Sequence, residues 1–200
     1  MKDGQFDEFC DFLEVITQKI NSFFERQKEY IHCKPGCDLC CRQGEYPCSE
    51  LEYEFLRLGV ALLSVETQKQ ITQKVLKIKE DRKNAIPGIP FEYECPFLFD
   101  GKCSIYKYRM VICRTFGLPY FIDVDGEQKM KTPFCVHHNL NYSEVYDPER
   151  NIFSKEMFEQ KGFRNEPVAF NLSLSFILNR LGKEGMGLDF GEEKSLIDWL

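Results

Sequence analysis

CKPGCDLCC, residues 33–41, sets four thiols within nine residues, two of them adjacent. Its reading decides the fold, because thiols this dense either staple a core too small to hold itself or grip a metal ion. The chain has 200 residues, of which 43% are hydrophobic and 29% charged, so it can bury a core without staples. Ten cysteines arithmetically allow five disulfides, but these need an oxidising compartment. The start, MKDGQFDEFC, lacks a basic region followed by an apolar stretch. The expectation is therefore a cytoplasmic protein with reduced thiols, and metal before disulfides.

Cys37 and Cys40 form a true C-x-x-C pair, and Cys33 stands one residue further off, with Gly36 easing the turn between them. Thiolates bind zinc four to an ion and hold iron–sulfur clusters four to a cluster. Cys41 fits less simply. In an extended segment neighbouring side chains point to opposite sides, so Cys40 and Cys41 either serve two neighbouring centres or one of them is spare. Four more cysteines follow in an irregular stretch: Cys95, Cys103, Cys113 and Cys135. With Cys10 and Cys48 set aside, the eight suit two four-coordinate sites, and one cluster plus free thiols also fits. Two C-x-x-C knuckles, the simplest zinc pattern, are absent. Arg42 and Arg114 each follow a cysteine, where a guanidinium would favour a negative thiolate site or else simply face solvent. His32, His137 and His138 flank cysteines, and Cys135-Val-His137 could place two ligands together, but each reads more readily as a surface or supporting residue. A catalytic cysteine is typically single and paired with a histidine, which is not this pattern.

Outward from the cluster the pattern is helical. Phe6, Phe9, Leu13, Ile16, Ile20 and Phe23 recur every three or four residues, which predicts a helix ending near Tyr30, with Cys10 on or beside its face as a small buried hydrophobe. Ser49 and Glu52 read as a capping box ahead of a face made by Leu51, Phe55, Leu58 and Leu62. Ser64 reads as the cap of a third helix with Ile71, Val75 and Ile78 facing inward. NAIPGIP then breaks the pattern. Asp100-Gly101 and Asp125-Gly126 predict tight turns, the second inside a short hairpin. Asp147-Pro148 reads as a helix cap with proline at the first position. Pro167–Leu181 repeats that design, closed by Gly182, and Ser195–Leu200 ends in a short helix with an acidic start. Aromatic residues crowd the cysteine stretches, Tyr46, Tyr93, Phe97 and Tyr106 among them, as core filling or as a shield against water. The expected fold is a single domain, mainly α, with a cysteine-rich core at residues 33–135, helical flanks at 1–32 and 139–200, irregular metal-binding loops and a short β-hairpin.

The formal charge of −6 argues against a nucleic-acid or anionic-membrane surface, and no apolar run is long enough to span a bilayer. The expected partner is a metal ion, with no nucleic acid and no membrane. No phosphate loop or serine–histidine–acid pattern stands out.

Two stretches together, CKPGCDLCC and CPFLFDGKCSIYKYRMVICRTFG (residues 95–117), resemble the zinc- or iron-chelating cysteine-cluster family known as the CxxCxxCC domain. The first gap here holds three residues rather than two, and Met110 stands where the family often has proline after arginine. Neither departure removes a sulfur. The resemblance implies metal ligands at Cys33, Cys37, Cys40, Cys41, Cys95, Cys103, Cys113 and Cys135. The implied cofactor is zinc or iron, including a 4Fe-4S cluster. Some relatives are fused to or resemble protein lysine methylases acting on flagellin. The spacing of Cys33, Cys37 and Cys40 also resembles the three-cysteine motif of radical S-adenosylmethionine enzymes, although a long helix precedes it and no alternating strand–helix series follows. Three functions follow: a metal-binding protein, an iron–sulfur enzyme of redox or protein methyl-transfer type, and a metal chaperone or sensor with exchangeable thiolates.

Overall fold

The apolar positions of the opening segment fold as α1 (Gln5–Arg26), which buries Phe9, Phe12, Leu13, Ile16 and Ile20. Asp7 and Glu8 in its first turn and Arg26 in its last complement the helix dipole. A 3₁₀ turn, Lys28–Tyr30, carries the chain to the predicted end. Cys10 departs from expectation: it is exposed. It lies one helical step beyond Phe9, and that step of about 100° turns it off the buried stripe.

The computed structural model describes residues 5–34, 36–89 and 91–200. In chain order, α1 is followed by β1 (Pro47–Ser49), α2 (Glu50–Ala61), α3 (Val65–Lys83), β2 (Leu98–Phe99), β3 (Lys102–Cys103) and α4 (Ile112–Thr115). Then come β4 (Tyr120–Val124), β5 (Glu127–Lys131), β6 (Tyr146–Asp147), β7 (Ile152–Phe153), α5 (Lys155–Lys161), a π-helical segment (Phe176–Glu184), β8 (Glu193–Ser195) and α6 (Leu196–Trp199). Helix is the main element. The single expected hairpin understates the strands, since among the described residues four antiparallel pairs form: β1–β8, β2–β3, β4–β5 and β6–β7. No described helix is long and apolar enough to cross a membrane.

The chain forms two compact units, each discontinuous in sequence. One comprises Met1–Pro35 and Arg114–Leu188, the other Gly36–Cys113 and Asp189–Leu200.

In the first unit β4 and β5 make the predicted hairpin, with Asp125 at φ 57° in its turn. Tyr30, Val136, Tyr142, Val145 and Tyr146 form a buried cluster, and the Tyr30 and Tyr142 rings stack at 5.2 Å. Two expected helices are revised here. Asp147 does not open a helix: its Oδ1 accepts from the N–H groups of Glu149 and Arg150, but Asn151 takes φ 53° and turns the chain back into β7. The short-range bonding is that of a cap, without a helix behind it. Pro167 to Phe170 is not helical either. Phe170 exchanges backbone hydrogen bonds with Pro119 and Phe121, both at 3.0 Å, and the Val168 N–H goes to Gln27 Oε1. These partners hold the segment extended, helix begins at Leu174, and Gly182 is buried within it rather than closing it.

In the second unit the capping box is formed in full. Ser49 accepts from the Glu52 N–H, and the Glu52 carboxylate accepts from Ser49. The buried face of α2 is Leu51, Phe55, Leu56 and Gly59, whereas Leu58 and Leu62 face outward. Gly59 sets the rotation. A Cβ there would stand 2.6 Å from the Tyr108 side chain, so the absence of one lets that ring seat against the helix beside Phe55. Ser64 caps α3 as expected, with Ile71, Val75 and Ile78 buried. The β1–β8 pair joins Pro47 to Ser195, and α6 follows directly, its Trp199 Nε1 donating to the Cys48 carbonyl at 2.8 Å.

Candidate metal centre

Asp38 opens a 3₁₀ turn, Leu39–Arg42, closed by the Cys41 N–H on the Asp38 carbonyl at 2.8 Å. The two adjacent cysteines are thus on a tight turn, not in the extended chain from which opposite-facing side chains were expected. Three residues per turn keeps neighbours close enough for the Cys40 thiol to hydrogen-bond to the Cys41 sulfur. That bond favours the charged form of Cys41. With the Arg42 and Arg109 guanidiniums it outweighs burial and the Asp38 carboxylate and brings the thiol down to about 7.

Backbone pairing links Cys95 to Cys41, and Cys103 to Cys95. The Cys95 N–H donates to the Cys41 carbonyl at 2.7 Å. Cys95 in turn accepts from Leu98, whose partner across the β2–β3 ladder is Cys103. Asp100-Gly101 makes the turn between those strands, with Asp100 at φ 48°. Cys113 lies on α4, and the Val111 N–H just before it donates to the buried Glu52 Oε1 at 2.8 Å. The carboxylate that caps α2 therefore also anchors the approach to Cys113.

Cys41, Cys95, Cys103 and Cys113 stand in one another's electrostatic field. Burial pushes Cys95 up to about 12, helped by Cys103 and Cys41. Burial also raises Cys103, with Cys41 contributing. Cys113 is driven well up by burial and then by Cys95, Cys103 and Cys41. Each thiol makes its neighbours harder to ionise, and a divalent cation bound among them would reverse that sign. Three cations already face the group: Arg42, Arg109 and Lys74. Arg42 is held by Asp38 at 2.5 Å and by Glu94, and Lys74 reaches the Leu98 carbonyl at 2.5 Å. The buried Nε of Arg109 has no hydrogen-bond partner. Four soft donors with cations behind them suit zinc or iron. The thiols are neighbours rather than a closed cage: among the described residues no three His, Cys, Asp or Glu side chains have the geometry of a formed metal site.

Tyr46 donates its hydroxyl to the Cys40 carbonyl and Tyr93 is buried nearby, so these rings shield the unit's sulfurs. Tyr106 is 62% exposed; it lies under the Arg109 guanidinium, 3.6 Å from ring centroid to carbon. Cys48 is fully buried, and burial raises its thiol strongly. Cys37 is exposed.

In the other unit the Cys135 thiol hydrogen-bonds to Cys33, and that bond with burial holds its proton on. Cys33 also accepts from Asn141 Nδ2 at 3.3 Å. His32 faces Glu144 at 3.4 Å, while His137 and His138 lie exposed against the Phe134 ring. Arg114 donates to Thr17 Oγ1 at 3.0 Å. Sequence reasoning did not single out Arg109, Lys74 or Asn141. Arg109 alone carried a signal, a basic residue inside the second cysteine stretch.

A family model of cysteine-rich chelating domains, CxxCxxCC, described as "Putative zinc- or iron-chelating domain", matches residues 32–136, just over half of the chain. The chain belongs to this family. No curated protein and no solved structure matches it.

Proposed function

We propose that this protein binds zinc or iron through cysteine thiolates, with Cys41, Cys95, Cys103 and Cys113 as the ligands of its main centre. The observation that carries this reading is the backbone pairing of Cys95 to Cys41 and of Leu98 to Cys103, with Cys113 held on its approach by the Val111–Glu52 bond. The family description supports the same chemistry. The bound ion would join residues far apart in sequence, so that binding energy is also folding energy. Arg109 and Arg42 would offset the net negative charge that four thiolates leave on a divalent ion.

The test is anaerobic purification of the full chain, followed by metal analysis and a visible absorption spectrum. Colourless protein with near-stoichiometric zinc supports a zinc centre. Iron with matching sulfide and a brown colour supports an iron–sulfur centre. Cys113→Ser should lower metal content and melting temperature together. Full metal and unchanged melting in that variant would overturn the ligand assignment.

A further inference from the structure

Asn141 lies beyond the residues that the family model matches, yet it is completely buried against one of the cysteines. An amide side chain has four hydrogen-bonding places, and all four are filled. Oδ1 accepts from the N–H groups of His32 at 2.7 Å and Cys33 at 3.1 Å. Nδ2 donates to the Gly117 carbonyl at 2.9 Å and to Cys33 Sγ at 3.3 Å. Two donors on one side and a carbonyl on the other fix which end of the amide is nitrogen. The Nδ2–H therefore points at sulfur by necessity. Gly117, at φ 99°, completes the fit: a Cβ there would stand 2.8 Å from Asn141 Nδ2 and 3.6 Å from Cys33 Sγ. The Asn141 main chain takes part as well, because its N–H favours the charged form of the Cys135 sulfur.

We propose that Asn141 is a positioning residue for a thiolate pair, Cys33 and Cys135, setting both sulfurs for a soft cation by fixing the Cys33 backbone and supplying N–H groups to the sulfurs. The inference rests on the reading above, that thiolates of this chain bind zinc or iron. A buried amide that only filled space would not need a donor on sulfur. Donors behind metal-bound atoms orient them and tune their charge, and losing one typically weakens binding about 10–100-fold.

Asn141→Asp removes the donor. It keeps acceptors for the His32 and Cys33 N–H groups and puts a carboxylate oxygen where Nδ2 donates to Cys33 Sγ and to the Gly117 carbonyl. The experiment titrates zinc(II) alone into the reduced full chain, alkylates free thiols, and reads each cysteine by peptide mass spectrometry. In the wild type, zinc should protect Cys33 and Cys135. In N141D the zinc concentration for half-protection of those two should rise about 10–100-fold, with Cys41, Cys95, Cys103 and Cys113 unchanged. Gly117→Ala, which crowds Nδ2 without changing Asn141 itself, should shift the same two residues in the same direction. Unshifted protection at Cys33 and Cys135 overturns the proposal. So does an equal shift at all six thiols, which would mark Asn141 as structural only. Protection of the four but not of Cys33 and Cys135 in the wild type sinks this inference while leaving the main centre standing. Protection of none sinks the metal reading itself.

Discussion

Replacing Glu52 with alanine tests the claim that one buried carboxylate organises both α2 and the approach to Cys113. Glu52 is 2% exposed and accepts from the Ser49 N–H at 3.1 Å, the Ser49 hydroxyl at 2.7 Å and the Val111 N–H at 2.8 Å. Glu52→Ala removes the returning half of the capping box, while the Ser49 hydroxyl still accepts from the backbone N–H of residue 52. The substitution strands two backbone donors, each worth about 1–3 kcal/mol when buried and unpaired. Relief of the buried carboxyl's own desolvation offsets part of this, which leaves a net loss of about 3 kcal/mol. For a chain of this length that is a fall in Tm of roughly 6–12 °C. Ser49→Ala is the control: it removes the cap hydroxyl but leaves the Ser49 and Val111 N–H groups on Glu52, and should lose only about 1 kcal/mol. The assay is urea and thermal unfolding of the reduced, metal-free full chain, followed by circular dichroism. Equal losses in the two variants, or a loss below about 1 kcal/mol in Glu52→Ala, would refute the role given to the Val111 bond.

Burial holds the Glu52 pKa above the usual carboxylate range despite its hydrogen bonds, so the folded state holds this proton more tightly than the unfolded state. The advantage of the wild type over Glu52→Gln should therefore be fullest below about pH 4 and shrink as pH rises through the folded value, read by denaturant unfolding of the metal-free chain. Tyr46→Phe removes its hydrogen bond to the Cys40 carbonyl and should lose about 1 kcal/mol in the same measurement. Trp199 is the chain's single tryptophan, and it stacks on Tyr53 at 5.1 Å in the unit that holds the four thiols. Chelation of the bound metal should lower the unfolding midpoint read by its fluorescence, and an unchanged midpoint would separate the ion from folding. Cys10 is exposed, so Cys10→Ser should leave metal content and Tm as they were.

Helix was legible wherever caps and a single stripe agreed. Ser49, Glu52 and Ser64 announced their helices because capping is local chemistry between residues three apart. Leu58 and Leu62 misled because the same α2 sequence carries two apolar stripes. The choice between them was made by the Tyr108 ring, distant in sequence, seating at Gly59. Asp147 and Pro167 misled for a related reason. Their local signals are genuine, but Asn151 and the pairing of Phe170 with Pro119 and Phe121 redirect the chain. At the candidate centre the cysteines could be enumerated from spacing and resemblance. Their grouping could not, because it depends on the Cys95–Cys41 backbone bond and the β2–β3 register. Asn141 was silent in the sequence: an asparagine after a leucine carries no mark of what its amide will touch.

The pairing of β1 with β8 also bears on how the protein is made. The strand that holds Pro47–Ser49, and with it the cap of α2, finds its neighbour at Glu193–Ser195. A ribosome releases the first of these long before the second. During synthesis the thiols from Cys40 to Cys113 would emerge while the edge beside Cys48 was still unpaired and Trp199 not yet made. An ion captured at that stage would act as an early clamp on a nascent chain, holding the sulfurs together until the last strand arrives.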